Sequence, residues 1–76
     1  MSPLKHLSAC EENQEYEISM IDTGSDTEME NFLFTLGCYA GQKIVLISNL
    51  NKNYIISVKD ARYSIDQELA QAIIVE

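Results

Sequence analysis

The side chains best suited to hold a transition metal or to act as a nucleophile are Cys10, Cys38 and the lone histidine, His6. His6 and Cys10 stand at i, i+4 spacing, which would put them on one face of a helix. Glu11, Glu12, Glu15 and Glu17 follow closely. Imidazole, thiolate and carboxylate are all ligand types for Fe(II). The spacing is nevertheless unspecific, because a structural zinc site wants about four ligands at tight intervals and the chain has no CxxC pair. His6, Cys10 and Cys38 are therefore weak metal candidates, and no cofactor is expected beyond loosely held Fe(II). A disulfide is disfavoured in a reducing cytosol, which leaves the cysteines to serve as small hydrophobes. No Ser, Cys or Asp forms a nucleophile–base constellation with His6, and no glycine-rich phosphate loop is present. These residues do not make an enzyme.

Size and charge narrow the remaining classes. A chain of 76 residues builds one domain and buries only ~60% of the surface it exposes when unfolded. The expected organisation is a single domain over residues 1–76, with residues 1–13 as a loosely packed N-terminal segment. Twelve acidic against five basic residues give a net charge of −7, which phosphate backbones repel, so nucleic acid is not an expected partner. Lys5 is the only basic residue among positions 1–38, which carry eight carboxylates. That side is either a solvated face or a surface that steers a basic partner. No apolar run reaches the ~18–20 residues of a membrane helix, and no signal-peptide core follows Lys5. The expected location is the cytoplasm, without membrane insertion, although a membrane-embedded partner could recruit the protein to the inner face.

Hydrophobic periodicity supplies the elements that must position any site. In residues 14–22, QEYEISMID, Tyr16, Ile18 and Met20 alternate with polar residues, as in a half-buried strand. After the TGSD turn the period changes. Met29, Phe32, Leu33 and Leu36 fall at i, i+3, i+4 and i+7, one stripe of a short helix. Thr27 and Glu30 have capping-box spacing at its start. Phe34 lies off the stripe and is a candidate for exposure. Two β-branched runs, QKIVLISNL and YIISVKD, flank the polar NKN and read as a hairpin. Both are apolar on both faces near their middles, which suits a small barrel partly covered by a helix. A short strand RYSI follows, then Asp66 as N-cap of a helical turn QELAQA, then a last strand IIV. The expected fold is mainly β with short helices: a compact, strongly bent sheet or small barrel, with one helix after the first strand and a helical turn before the last.

Between helix and hairpin lies LGCYAG, residues 36–41. Leu36 ends the apolar stripe, Gly37 is a left-handed helix stop, and Gly41 suits a tight turn into the next strand. Cys38 then sits at the core edge as a small apolar residue. A helix ending in L-G, then x-x-x-G, then two β runs resembles the FeoA family. The tail ARYSIDQELAQAIIVE strengthens the resemblance through Ile65, Ala70, Ile73 and Val75, and the similarity covers residues 14–76. The chain departs from that family in having Ala40 where a proline usually precedes the second glycine. It also has Glu28, Met29, Glu30 and Asn31 where arginines are usual, and CEENQE where a glycine is often found.

The resemblance implies a small SH3-like β-barrel and a non-catalytic cytosolic role in bacterial ferrous iron uptake, in which the protein binds or modulates a FeoB-type membrane permease with a GTPase domain. SH3-like modules dock partner segments on aromatic-lined grooves, so Phe34, Tyr39, Tyr54 and Tyr63 are the partner-binding candidates. The alternative is a small metal(II)-binding domain, or one that self-associates through open strand edges into a homo-oligomer.

Overall fold

The computed structural model describes residues 4–76. Six antiparallel strands form one sheet: β1 (Lys5–His6), β2 (Glu15–Ile21), β3 (Lys43–Leu50), β4 (Asn53–Val58), β5 (Ala61–Asp66) and β6 (Ile73–Val75). Their spatial order is β1-β6-β2-β3-β4-β5. Helix α1 (Thr27–Leu36) connects β2 to β3, and the short helix α2 (Gln67–Ala72) connects β5 to β6. β5 and β1 are the two edges of the sheet, and α2 contacts both of them. The sheet therefore rolls until its edges meet across a helix, so strand pairing alone does not close it. Irregularities between Ile18 and Met20 in β2 and between Leu46 and Ser48 in β3 add the local twist that such rolling needs.

β3, β4 and β5 form a meander joined by two tight hairpins. Leu50 pairs with Asn53 and Val58 with Ala61, leaving two-residue loops, Asn51-Lys52 and Lys59-Asp60. All four loop residues have positive φ, between 50° and 64°, which is the type I′ geometry that matches the right-handed twist of the strands. The interior is filled from every element but β1. Leu7, Ile18, Leu33, Ile44, Leu46, Ile56, Ile73 and Val75 are fully buried, and no polar or charged residue is buried among the described residues.

The C-terminal end of α1 follows the expected chemistry. Gly37 adopts φ 96°, its N–H donates to the Phe34 carbonyl, and the Cys38 N–H reaches back to the Leu33 carbonyl at 2.9 Å. These two bonds are the Schellman arrangement, with Cys38 and Leu33 meeting in the core as its hydrophobic clasp. The chain then turns through Tyr39, Ala40, Gly41 and Gln42, where the Gln42 N–H donates to the Tyr39 carbonyl and Gly41 has φ 91°. That is a type II turn, with glycine at its left-handed third position. Asp66 caps α2 by accepting the Leu69 N–H at 2.9 Å.

Four expectations need correction. The cap of α1 is Asp26, whose carboxylate accepts the Met29 N–H at 3.0 Å, so helix capping begins one residue before Thr27. Met20 is 46% exposed, because the bulge after Ile18 turns it out and brings Ile21 against the core instead. Phe32 lies on the apolar stripe yet is 47% exposed; Leu33 is the only fully buried residue of α1. The N-terminal segment is tied down over its described part. Lys5 and His6 pair with Val75 and Ile74, and a 3-10 turn at Leu7–Ala9 buries Leu7. Residues 1–3 of that segment lie outside the described residues.

Candidate partner-binding surface

The metal candidates are dispersed by their own hydrogen bonds. His6 Nδ1 lies 2.6 Å from the Gln71 carbonyl oxygen; a carbonyl only accepts, so Nδ1 carries the proton and β1 is pinned to α2. The Cys10 thiol donates to the His6 carbonyl at 3.5 Å, and burial pushes its pKa up against the opposing pull of Lys5 and Tyr16. Glu12 accepts the Asn49 N–H at 2.8 Å, and Glu17 accepts from Lys43 Nζ at 3.0 Å, which raises the lysine pKa. Cys38 is fully buried, and burial pushes its thiol up to about 11, so it stays protonated and inert at neutral pH. Among the described residues no three His, Cys, Asp or Glu side chains converge on a point.

The aromatic candidates divide cleanly. Tyr54 is 4% exposed: it stands on the buried face of its strand with Ile56 and Val58, and its ring is part of the core, not of a docking surface. Tyr63 is half-buried and packs against that core. Phe34 and Tyr39, on either side of the helix stop, are 45% and 37% exposed. Lys59 Nζ sits 4.7 Å from the Tyr39 ring centroid, within cation–π range. Its aliphatic stem also covers Gly37, where an added Cβ would meet Lys59 Cδ at 3.1 Å. The β4–β5 turn thus props the loop that presents Tyr39.

A second feature escapes a linear reading. An open groove of about 310 Å³ runs between α1 and α2, lined by Asp26, Glu28, Met29 and Phe32 from one and Asp66, Glu68 and Leu69 from the other. Both helices begin with the same pattern, an Asp cap, a spacer, a Glu and an apolar residue: DTEM at 26–29 and DQEL at 66–69. That repeat is the signal in the sequence. Its meaning depends on the fold bringing the two helix starts together.

The FeoA domain profile matches residues 5–76. The chain belongs to the FeoA family. The family is non-catalytic and linked to ferrous iron transport. No curated protein matches the chain. Among solved structures, it is similar to an iron uptake regulatory protein (FeoA), with 21% identity, a TM-score of 0.86, and coverage of 99% of this chain and 97% of that one. It is also similar to the zinc-complexed FeoA of Stenotrophomonas maltophilia, a prokaryotic SH3 domain protein, with 15% identity, a TM-score of 0.83, and coverage of 93% and 88%. A manganese-dependent transcriptional repressor matches all of this chain over 42% of its own length, with 18% identity and a TM-score of 0.89. The fold of this FeoA chain is SH3-like, and the same fold also occurs as one part of larger proteins. Among the described residues, no helix of this FeoA chain is long and apolar enough to cross a membrane.

Proposed function

We propose that this FeoA protein is a non-catalytic accessory of bacterial ferrous iron uptake. It works in the cytoplasm as a single SH3-like domain and is drawn to the inner membrane face by docking on the cytosolic part of a FeoB-type permease. The observation that carries this reading is the state of α1. This helix buries only Leu33 completely and leaves Phe32 and Phe34 nearly half exposed, with Tyr39 just beyond its end. Large half-exposed aromatics on an underpacked helix are the material from which interface anchors are made. The likeness to an iron uptake regulatory protein supports the same direction.

The test is capture of detergent-solubilised permease by tagged protein, comparing wild type with a Phe34→Ala, Tyr39→Ala double variant. Both positions are exposed, so the fold tolerates the change, as circular dichroism would verify. Removing two aromatic anchors is expected to weaken capture about tenfold or more. Absence of capture by the wild type, under iron-starved and iron-replete growth alike, would remove the permease from this reading.

A further inference from the structure

The groove between the two helix starts combines apolar and acidic side chains. Its floor is apolar: Met29, Phe32 and Leu69. Its rim carries four carboxylates, Asp26, Glu28, Asp66 and Glu68, and no lysine, arginine or histidine lines it. Among the described residues none of the four is in an ion pair; the pair observed, Lys43 with Glu17, lies elsewhere. Asp26 and Asp66 each commit one oxygen, Oδ1, to a helix cap, and a carboxylate has a second oxygen with its own lone pairs. The rim is thus a set of acceptors, two of them held in place by the caps, around an apolar seat that Phe32 leaves open.

We infer that this groove is the seat for a basic–apolar segment of the partner, one large aliphatic or aromatic side chain resting on Met29, Phe32 and Leu69 while flanking arginines or lysines meet Asp26, Glu28, Asp66 and Glu68. This rests on the reading that the protein acts by docking, and it specifies the chemistry of what docks. Four uncompensated carboxylates repel an acidic or phosphorylated segment and a nucleic acid alike. Arginine suits the rim best, because its planar fork bonds a carboxylate through two parallel N–H groups. The size of the seat, about 310 Å³, is at the small end of ligand sites and fits side chains more readily than a folded surface.

Two arms test the inference separately from the permease reading. In the first, isotope-labelled protein is titrated with a capped peptide of a central Leu-Phe pair flanked on each side by arginines, and NMR shifts are followed. The expected result is saturable shifts clustered at Asp26, Glu28, Met29, Phe32, Asp66, Glu68 and Leu69. Affinity should fall about tenfold in Glu28→Lys, Glu68→Lys, fall similarly in Phe32→Ala, and weaken as salt rises and the Debye length shrinks below about 10 Å. A Glu11→Lys, Glu15→Lys variant changes net charge equally outside the groove and should bind like wild type. Equal loss in both charge variants, or equal binding of a peptide with Gly-Ser at its centre, would overturn the groove as a specific seat. In the second arm, the same variants are used to capture the solubilised permease. Loss of both peptide and permease in Glu28→Lys, Glu68→Lys supports both readings. Peptide binding in the groove without permease capture by the wild type keeps the seat and discards the permease. Undiminished permease capture by the variant discards the seat and keeps the permease.

Discussion

Replacing Gly37 and Gly41 by alanine, one at a time, separates two contributions that meet at the end of α1. Their backbones are nearly alike, with φ of 96° and 91°. Their surroundings differ. A Cβ on Gly41 would have nothing within 4 Å, whereas one on Gly37 would lie 3.1 Å from Lys59 Cδ and 3.5 Å from both Cε and Cγ. An L-residue held in the left-handed region loses about 1–2 kcal/mol, partly offset by the smaller chain entropy of alanine in the unfolded state. Gly41→Ala should therefore cost about 1 kcal/mol. Gly37→Ala should cost that and more, because the Lys59 stem must move and its ammonium leaves the Tyr39 ring, a contact worth about 0.5–1 kcal/mol at an exposed site. The expected total is about 2 kcal/mol. In a domain of this size each kcal/mol moves the midpoint by about 4–8 °C, so Tm should drop by about 4–8 °C for Gly41→Ala and about 8–16 °C for Gly37→Ala. Urea unfolding of the two variants, repeated in a Lys59→Ala background, is the assay. In that background the two costs should converge. Equal losses with Lys59 present would refute the claim that its stem braces the helix stop, and a loss below about 0.5 kcal/mol at Gly37 would refute the left-handed stop itself.

Two further outcomes follow from neighbouring residues. Ala40 occupies the second position of the type II turn, where proline's fixed φ is suited, and its N–H makes no backbone hydrogen bond among the described residues. Ala40→Pro should stabilise by about 0.4–1 kcal/mol, read as a higher urea midpoint at unchanged slope; destabilisation would show that the turn is of another type. The buried Cys38 thiol ionises at about 11 against an ordinary 9.0, so the folded state holds its proton more tightly than the unfolded chain does. Its contribution is complete below the unfolded value of 9.0 and is lost as pH climbs through about 11. The wild type should lose stability relative to Cys38→Ala over that interval, by on the order of 2 kcal/mol, and parallel curves for the two proteins would contradict the burial.

Local chemistry made much of this fold readable in advance. Gly37 as a left-handed stop, Asp66 as a cap, the turn around residues 51–53 and the closing strand each depend on a few adjacent residues, and each lies where its pattern places it. What could not be read depends on partners remote in the chain. β1 is two residues long and exists only through Val75 and Ile74. Met20 has the right parity for the core, and only the bulge that fits β2 to β6 turns it outward. Tyr54 sits on a run apolar on both faces, so periodicity could not say which face is covered. Phe32 obeys the helical stripe, but a barrel this small accepts only Leu33 from α1 at full burial. The groove was missed for the same reason: DTEM and DQEL are each an ordinary helix start, and they become a surface only once α1 and α2 are brought together.

The position of β6 has a consequence for how the molecule is made. Of the six strands it is the last to leave the ribosome, yet it lies between the first two, pairing with β1 on one side and β2 on the other. Synthesis delivers the meander β3–β5 complete, with both of its tight turns, while β2 still shows a bare edge and Leu7 has no β6 to pack against. The hairpins can form as the chain emerges, but the half of the sheet holding β1 and β2 must wait for Ile73, Ile74 and Val75. The three residues of β6 thus act as the keystone of a part of the protein made long before them.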